Sequence, residues 1–263
     1  MLQQTQVDRT VPKFLEFMAR FPTLSALADS PAADVIRLWS GMGYNARAVR
    51  LHKLAQLVMS EHGGRLPQAS QELRALPGIG PYTASAVACF AYGASEPVLD
   101  TNVYRVLSRL AYGVEAPSRG ALEPLAAELL PGAGDPLDAS AWHQGLMDIG
   151  ATICTAAKPS CMLCPLRDNC AAAPALQDGA SRSLAESSVP YAPKQGRFEG
   201  SRRYYRGRVI EALRGADSIS VDDLGPLVYK DYAKDDRERL GVLIDGLVKD
   251  GLAQWIDGRV ALP

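Results

Sequence analysis

Leu76-Pro77-Gly78-Ile79-Gly80-Pro81-Tyr82-Thr83-Ala84 is the stretch on which the reading of this 263-residue chain turns. It separates two helical patterns, QELRALPG before it and the apolar run ASAVACFAYG at its end. Leu-Pro-Gly-x-Gly between helices predicts a tight hairpin, with Gly78 and Gly80 permitting positive φ and close backbone approach. The amides that open the next helix would point outward with the positive end of its dipole, which suits a phosphate. An ordinary helix–helix turn has the same composition, so the stretch gains meaning only from its neighbours.

Upstream, VPKFLEFMARF, AADVIRLWSGM and ARAVRLHKLAQLVMSEHG place apolar residues at three- and four-residue spacings, the signature of short amphipathic helices. Pro31, Pro67 and Pro117 fall where helices start or pause, and Gly63-Gly64 is a stop. No alternating strand pattern interrupts residues 1–175, so this region is expected to be all-α. Downstream, Asp100 follows the break at Gly93 and opens TNVYRVLSRL, where it fits a helix N-cap. An anionic carboxylate in that place also suits a second role. Facing a deoxyribose, it would stabilise the positive sugar of a dissociating glycosidic bond.

Further on stands Cys154-x6-Cys161-x2-Cys164-x5-Cys170. Lys158, Pro159, Ser160, Pro165 and Arg167 make this a polar loop, so four buried core thiols are a poor account of it. Four thiolates so close in sequence can converge on one centre, and spacing alone leaves zinc and a cubane iron–sulfur cluster both open. Clustering of this kind favours a metal over disulfides. Cys89 stands apart in its apolar run and reads as a small buried hydrophobe.

Residues 173–201, rich in Ala, Ser, Pro and Gly, read as a linker. Residues 202–263 then give three helical patterns, RRYYRGRVIEALRG, VDDLGPLVY and DRERLGVLIDGLVKDG. They are followed by LAQWIDGRVAL, in which Asp257-Gly258 between alternating segments predicts a hairpin. Three helices and a hairpin resemble a winged-helix module, a unit that serves DNA binding, protein interaction or packing. Residues 197–214 hold six arginines against two glutamates, a local basic face. The whole chain has a net charge of only −1, so any DNA contact must come from local surfaces and backbone amides. Neither a membrane span nor a secretory signal is visible, and a cytoplasmic location is expected.

The hairpin, Asp100 and the cysteines in this order, with Met1-Leu2-Gln3-Gln4-Thr5 at the start, closely resemble adenine DNA glycosylases of the MutY family. That family lies within the endonuclease III, helix-hairpin-helix superfamily. The resemblance runs from residue 1 to about 172. It implies a mainly α, helix-hairpin-helix glycosylase region over 1–172 with an iron–sulfur loop, to which the linker over 173–201 and the winged-helix-like domain over 202–263 are appended. It implies a [4Fe–4S] cluster on Cys154, Cys161, Cys164 and Cys170, and a catalytic carboxylate at Asp100, where Thr101 replaces the commoner glycine. Gln3 and Gln4 match glutamines that wedge into the duplex, and Tyr44 matches a tyrosine that intercalates beside the damaged guanine. Asn45 stands where a second tyrosine is common.

Tyr82 takes the place of a lysine that, in bifunctional relatives, attacks the sugar and leads to strand cleavage. The implied activity is therefore monofunctional: release of adenine mispaired with 8-oxoguanine or guanine, in base-excision repair. Double-stranded DNA with mismatched or oxidised pairs is the implied partner, with no membrane role and a monomeric state. The resemblance places the family's catalytic glutamate two residues before Met1, so the N-terminal part is expected to be missing and the chain Met1–Pro263 to excise poorly. It also lacks the Nudix-like domain of longer members, which bears on preference for 8-oxoguanine. Thymine or uracil removal from pairs with guanine is the alternative activity, and a catalytically impaired DNA-binding iron–sulfur protein is another.

Overall fold

The computed structural model describes residues 1–2, 5–115, 117–132, 136–177, 196–233 and 235–263. In chain order the first helices are α1 (Val7–Arg20), α2 (Leu24–Ala28), α3 (Ala32–Leu38) and α4 (Ala46–Glu61). Next come α5 (Ser70–Ala75), α6 (Pro81–Tyr92), α7 (Thr101–Tyr112), α8 (Arg119–Glu128), α9 (Ala139–Asp148) and the short α10 (Ala173–Gln177). Last are α11 (Arg202–Arg214), α12 (Val221–Val228), α13 (Asp236–Lys249) and strands β1 (Gln254–Ile256) and β2 (Arg259–Ala261). The protein is thus mainly helical, as its periodicity predicts. Among the described residues, no helix is long and apolar enough to cross a membrane.

The chain divides into two compact units that do not follow chain order: Met1–Leu66 with Lys194–Pro263, and Pro67–Pro193. Most of the expected linker 173–201 lies outside the described residues. Its first five residues, however, form α10. There Ala172 and Ala173 are buried, and the Ala172 amide donates to the Arg109 carbonyl at 3.0 Å, which anchors a turn that the composition alone does not announce.

In the first unit, α1 to α4 close over Phe17, Phe21, Leu27, Val35, Trp39 and Ala55. Helix α1 turns only Thr10 and Phe17 fully inward, leaving Val7, Val11, Leu15 and Met18 exposed. A second core joins distant segments. Ile36 of α3 and Val49 of α4 pack with Ile210, Leu213, Ile244 and Leu247 of the C-terminal helices. The Ala33 amide donates to the carbonyl of Pro263 at 2.8 Å, which ties the chain's end to the first turn of α3. Strands β1 and β2 pair antiparallel, with Trp255 opposite Val260. The connecting Asp257 and Gly258 have φ of 49° and 76°, the pair of positive values that a two-residue hairpin turn needs. Ile219 adds a bridge to Val260.

In the second unit, α7 is central. Val103, Tyr104 and Leu107 pack with Leu122 of α8 and Leu146 of α9. A neighbouring cluster holds Cys89, Val98 and Ala139, and confirms Cys89 as a buried apolar residue. Helix α9 continues into a π-helical turn, Ile149–Ile153, that leads to Cys154. Gly150 in this turn lies so close to α7 that a Cβ there would come within 2.5 Å of the Asn102 Cβ. Only glycine fits that crossing.

Candidate active site

The hairpin sits between α5 and α6, anchored by the buried Leu73 and Leu76 while Pro77, Gly78 and Gly80 stay exposed. The Ile79 amide closes the turn on the Leu76 carbonyl at 3.2 Å. Gly78 takes φ 82°, as the sequence predicts. Gly80 does not. Its φ of −85° is open to any residue, and a Cβ there would meet nothing within 4 Å. The fold itself therefore does not need glycine at position 80, and its missing side chain leaves open space before α6. Pro81 occupies the first turn of α6, where its fixed φ suits a helix start and no donor is lost.

Asp100 caps α7 as expected. Its Oδ1 accepts the Val103 amide at 2.7 Å, and its Oδ2 accepts Asn102 Nδ2 at 3.3 Å. Arg105, one turn along, donates to Asn102 Oδ1 at 2.8 Å, to the Gly150 carbonyl at 2.6 Å and to the Cys154 carbonyl at 2.7 Å. Arg119 holds the approach to Asp100 by donating to the Leu99 carbonyl at 2.6 Å. Tyr82 lies close enough to feel the same carboxylate: burial first, and then the negative charge of Asp100, push its phenol above the ordinary range. The hydroxyl therefore keeps its proton at neutral pH.

Behind this site is the buried His143 of α9. Its Nε2 accepts the Val98 amide at 2.9 Å, and its Nδ1 lies 2.6 Å from the Ala139 carbonyl. The two contacts fix the tautomer: Nδ1 carries the proton and donates it, while Nε2 stays bare. Nothing in the sequence pattern singles out Asn102, Arg105, Arg119 or His143. Asn102 stands two residues from Asp100, and that adjacency is the one available signal.

Cys154, Cys161, Cys164 and Cys170 line one small cavity, together with Arg109, Ile153 and Leu176. Among the described residues, no three His, Cys, Asp or Glu side chains converge tightly enough to hold a single metal ion. Arg109 is 3% exposed and donates to Cys154 Sγ at 3.4 Å and to the Thr155 and Ala156 carbonyls at 2.9 Å each. Burial, and then the other thiols of the cavity, raise the Cys161 thiol above its ordinary range. Four negative sulfurs in this space would repel one another unless a cationic group lay between them.

Tyr44 belongs to the first unit, in a loop of unusual backbone. Gly41 and Gly43 have φ of 80° and 67°, and Tyr44 itself has φ 46°, rare for an aromatic residue. The side chain is half exposed. Arg47 stacks over both the Trp39 and Tyr44 rings, at 5.3 and 5.7 Å from their centroids. It also donates to the Met1 carbonyl at 3.0 Å and to Thr5 Oγ1 and the Met42 carbonyl at 2.9 Å each. Arg47 thus ties the Tyr44 loop to the residues that flank Gln3 and Gln4. Those two glutamines lie outside the described residues.

A family model described as HhH-GPD superfamily base excision DNA repair protein matches residues 1–131. The adenine DNA glycosylase of Mycolicibacterium smegmatis is 40% identical over 264 residues, spanning all of this chain and 84% of that protein. Among solved structures, a thermostable thymine-DNA glycosylase matches with a TM-score of 0.60 at 29% identity, over 66% of this chain and 80% of that one. A non-covalent endonuclease III–DNA complex matches with a TM-score of 0.59 at 24% identity, over 67% and 81%, a likeness of fold.

Proposed function

Because the chain belongs to the MutY family of adenine DNA glycosylases, within the helix-hairpin-helix superfamily of base-excision repair proteins, we propose that it hydrolyses the bond between adenine and deoxyribose where adenine lies opposite 8-oxoguanine or guanine. The observation that carries this reading is Asp100, a carboxylate fixed by the Val103 amide and Asn102 in the unit that also holds the hairpin and Tyr82. A glycosidic bond within the stack is out of reach, so the adenine must first leave the duplex. The hairpin, exposed at Pro77, Gly78 and Gly80, supports a phosphate contact that fixes register, with the two glycines leaving the backbone accessible. Gln3, Gln4 and Tyr44 are assigned to the duplex itself.

In the reaction the C1′–N9 bond breaks and its electron pair leaves with adenine, which takes up a proton. Asp100 faces the positive charge that develops on the sugar. Water oxygen bonds to C1′ and releases a proton, which leaves an abasic site. Tyr82 offers a protonated phenol and no amine, so no Schiff base forms and the strand stays intact.

Cys154, Cys161, Cys164 and Cys170 are assigned to a [4Fe–4S] cluster. The donor set fits, since four thiols line one small cavity beside the Arg109 guanidinium. Bound there, the group would cross-link the loop and supply no step of the hydrolysis. Residues 202–263 are read as a winged-helix-like module, and the protein as a monomer acting on double-stranded DNA.

The test is single-turnover excision from duplexes carrying A opposite 8-oxoguanine, A opposite G, T opposite G and U opposite G. The last two are informative because a thymine-DNA glycosylase shares the fold. Adenine release without cleavage until alkali is added is the expected result, and faster release of thymine or uracil would overturn the assignment. Asp100→Asn should slow excision by ~100- to 1,000-fold while leaving DNA affinity largely unchanged, because it removes charge and keeps shape.

A further inference from the structure

We infer that residues 202–263 position the Tyr44 loop, and that Arg214 is the residue through which they act. The inference rests on the reading of Tyr44 as a probe of the base opposite the target adenine. Arg214 lies in the last turn of α11, and its side chain is only 10% exposed. It reaches across the first unit with its whole guanidinium. Nη2 donates to Asn45 Oδ1 at 2.9 Å, Nε to the Ile36 carbonyl at 3.2 Å and Nη1 to Glu211 Oε2 at 2.5 Å. Asn45 is the residue directly after Tyr44 and the cap of α4, and Ile36 lies in α3, just ahead of the loop. One side chain therefore spans both stems of the loop, and the rigid planar fork of arginine suits that task better than a flexible ammonium.

Core packing acts in the same direction. Ile36 before the loop and Val49 after it are buried in the core that α11 and α13 complete, with Ala33 and Ala46 packed against it. Within the loop, Trp39 Nε1 donates to the Gly43 carbonyl at 3.1 Å, and Arg47 holds the Met42 carbonyl. Tyr44 holds a positive φ, a conformation that persists only where its surroundings over-determine it. Arg47 constrains the loop from its N-terminal flank and from above the ring. Arg214 constrains both stems, at Ile36 and at Asn45. Without that second hold, Asn45 and the start of α4 are free to relax, and Tyr44 can return to a commoner backbone conformation.

The expected consequence is a loss of discrimination rather than of chemistry. The experiment measures equilibrium binding of the full chain to duplexes with A opposite 8-oxoguanine, A opposite G and A opposite T, for wild type, Arg214→Gln, Asn45→Ala, Tyr44→Ala and the Arg214→Gln/Tyr44→Ala pair. Arg214→Gln and Asn45→Ala should each lower the preference for 8-oxoguanine over guanine by roughly three- to tenfold, and the double variant should lose no more than Tyr44→Ala alone. Arg214→Lys, which keeps the charge and loses the fork, should fall between wild type and Arg214→Gln. A lower melting temperature for Arg214→Gln with an unchanged preference would overturn the inference and leave Arg214 as a packing residue. Asn45→Ala answers the case in which Arg214→Gln fails to fold, since it removes the acceptor alone. If Tyr44→Ala itself leaves the preference intact, the reading of Tyr44 fails first, an outcome distinct from a normal Tyr44 effect with no Arg214 effect.

Discussion

His143 is 2% exposed and sits between the Ala139 carbonyl and the Val98 amide, with the Cys89 sulfur 3.8 Å from Nδ1. Burial lowers its pKa below the ordinary value of 6.5, against an opposing pull from the Ala139 carbonyl and Asp100. In the unfolded chain the ring titrates near ~6.5. Above that pH both states are neutral, and the contribution of His143 to stability is fully present. As pH falls below it, the unfolded chain binds a proton that the folded chain refuses, and stability declines by at most ~1.4 kcal/mol per pH unit. Denaturant titrations at pH 7, 6 and 5 should reveal this slope, and His143→Asn should flatten it; an unchanged slope in the variant would assign it to other groups. Asp100 was legible from the sequence because capping is a local property, written in one residue type at the start of one periodic pattern. His143, Arg105 and Arg119 were not, because their partners Val98, Gly150, Cys154 and Leu99 reach them only through tertiary packing.

Helix α7 carries Asp100 at its N-terminus and the cysteine loop along its length. Arg105 and Arg109 donate to the loop at Gly150, Cys154, Thr155 and Ala156, and the Arg109 and Leu110 carbonyls accept the Ala172 and Ala171 amides at 3.0 and 2.9 Å. Replacing Arg109 with Leu strips two carbonyls of their donor and should cost ~2–4 kcal/mol. Hydrogen exchange should then quicken over residues 153–172, and, under the proposed cluster assignment, purified protein should hold less iron and sulfide than the wild type. Unchanged exchange in that segment would show that the loop is held by other means. The helices themselves were readable, since apolar spacing at three and four residues is a property of each segment. The π-helical turn Ile149–Ile153 was not. There Gly150 passes within contact distance of Asn102, a requirement that neither segment states alone.

At the scale of the whole molecule, chain order and spatial order part company. Composition announces a change of character after residue 201, and the three helices and hairpin that follow are where the sequence predicts them. That this segment completes a core with Ile36 and Val49 is invisible in composition, because an apolar face does not say what will cover it. The pairing of the first 66 residues with those from Lys194 onward has a consequence for biosynthesis. On the ribosome, α1 to α4 emerge first, yet the partners of Ile36 and Val49 follow only after the second unit has been made in full. At ~5–20 residues per second, synthesis from Leu66 to Pro263 takes roughly 10–40 s. Through that interval half of the first unit waits with apolar surface uncovered, and the second unit is free to fold ahead of it. Stalled nascent chains ending near residue 205 should therefore resist brief proteolysis within 67–177 while being cut within 1–66, and release of the full chain should protect both. The segment from Lys194 onward thus acts as the latch of a segment made a whole unit earlier.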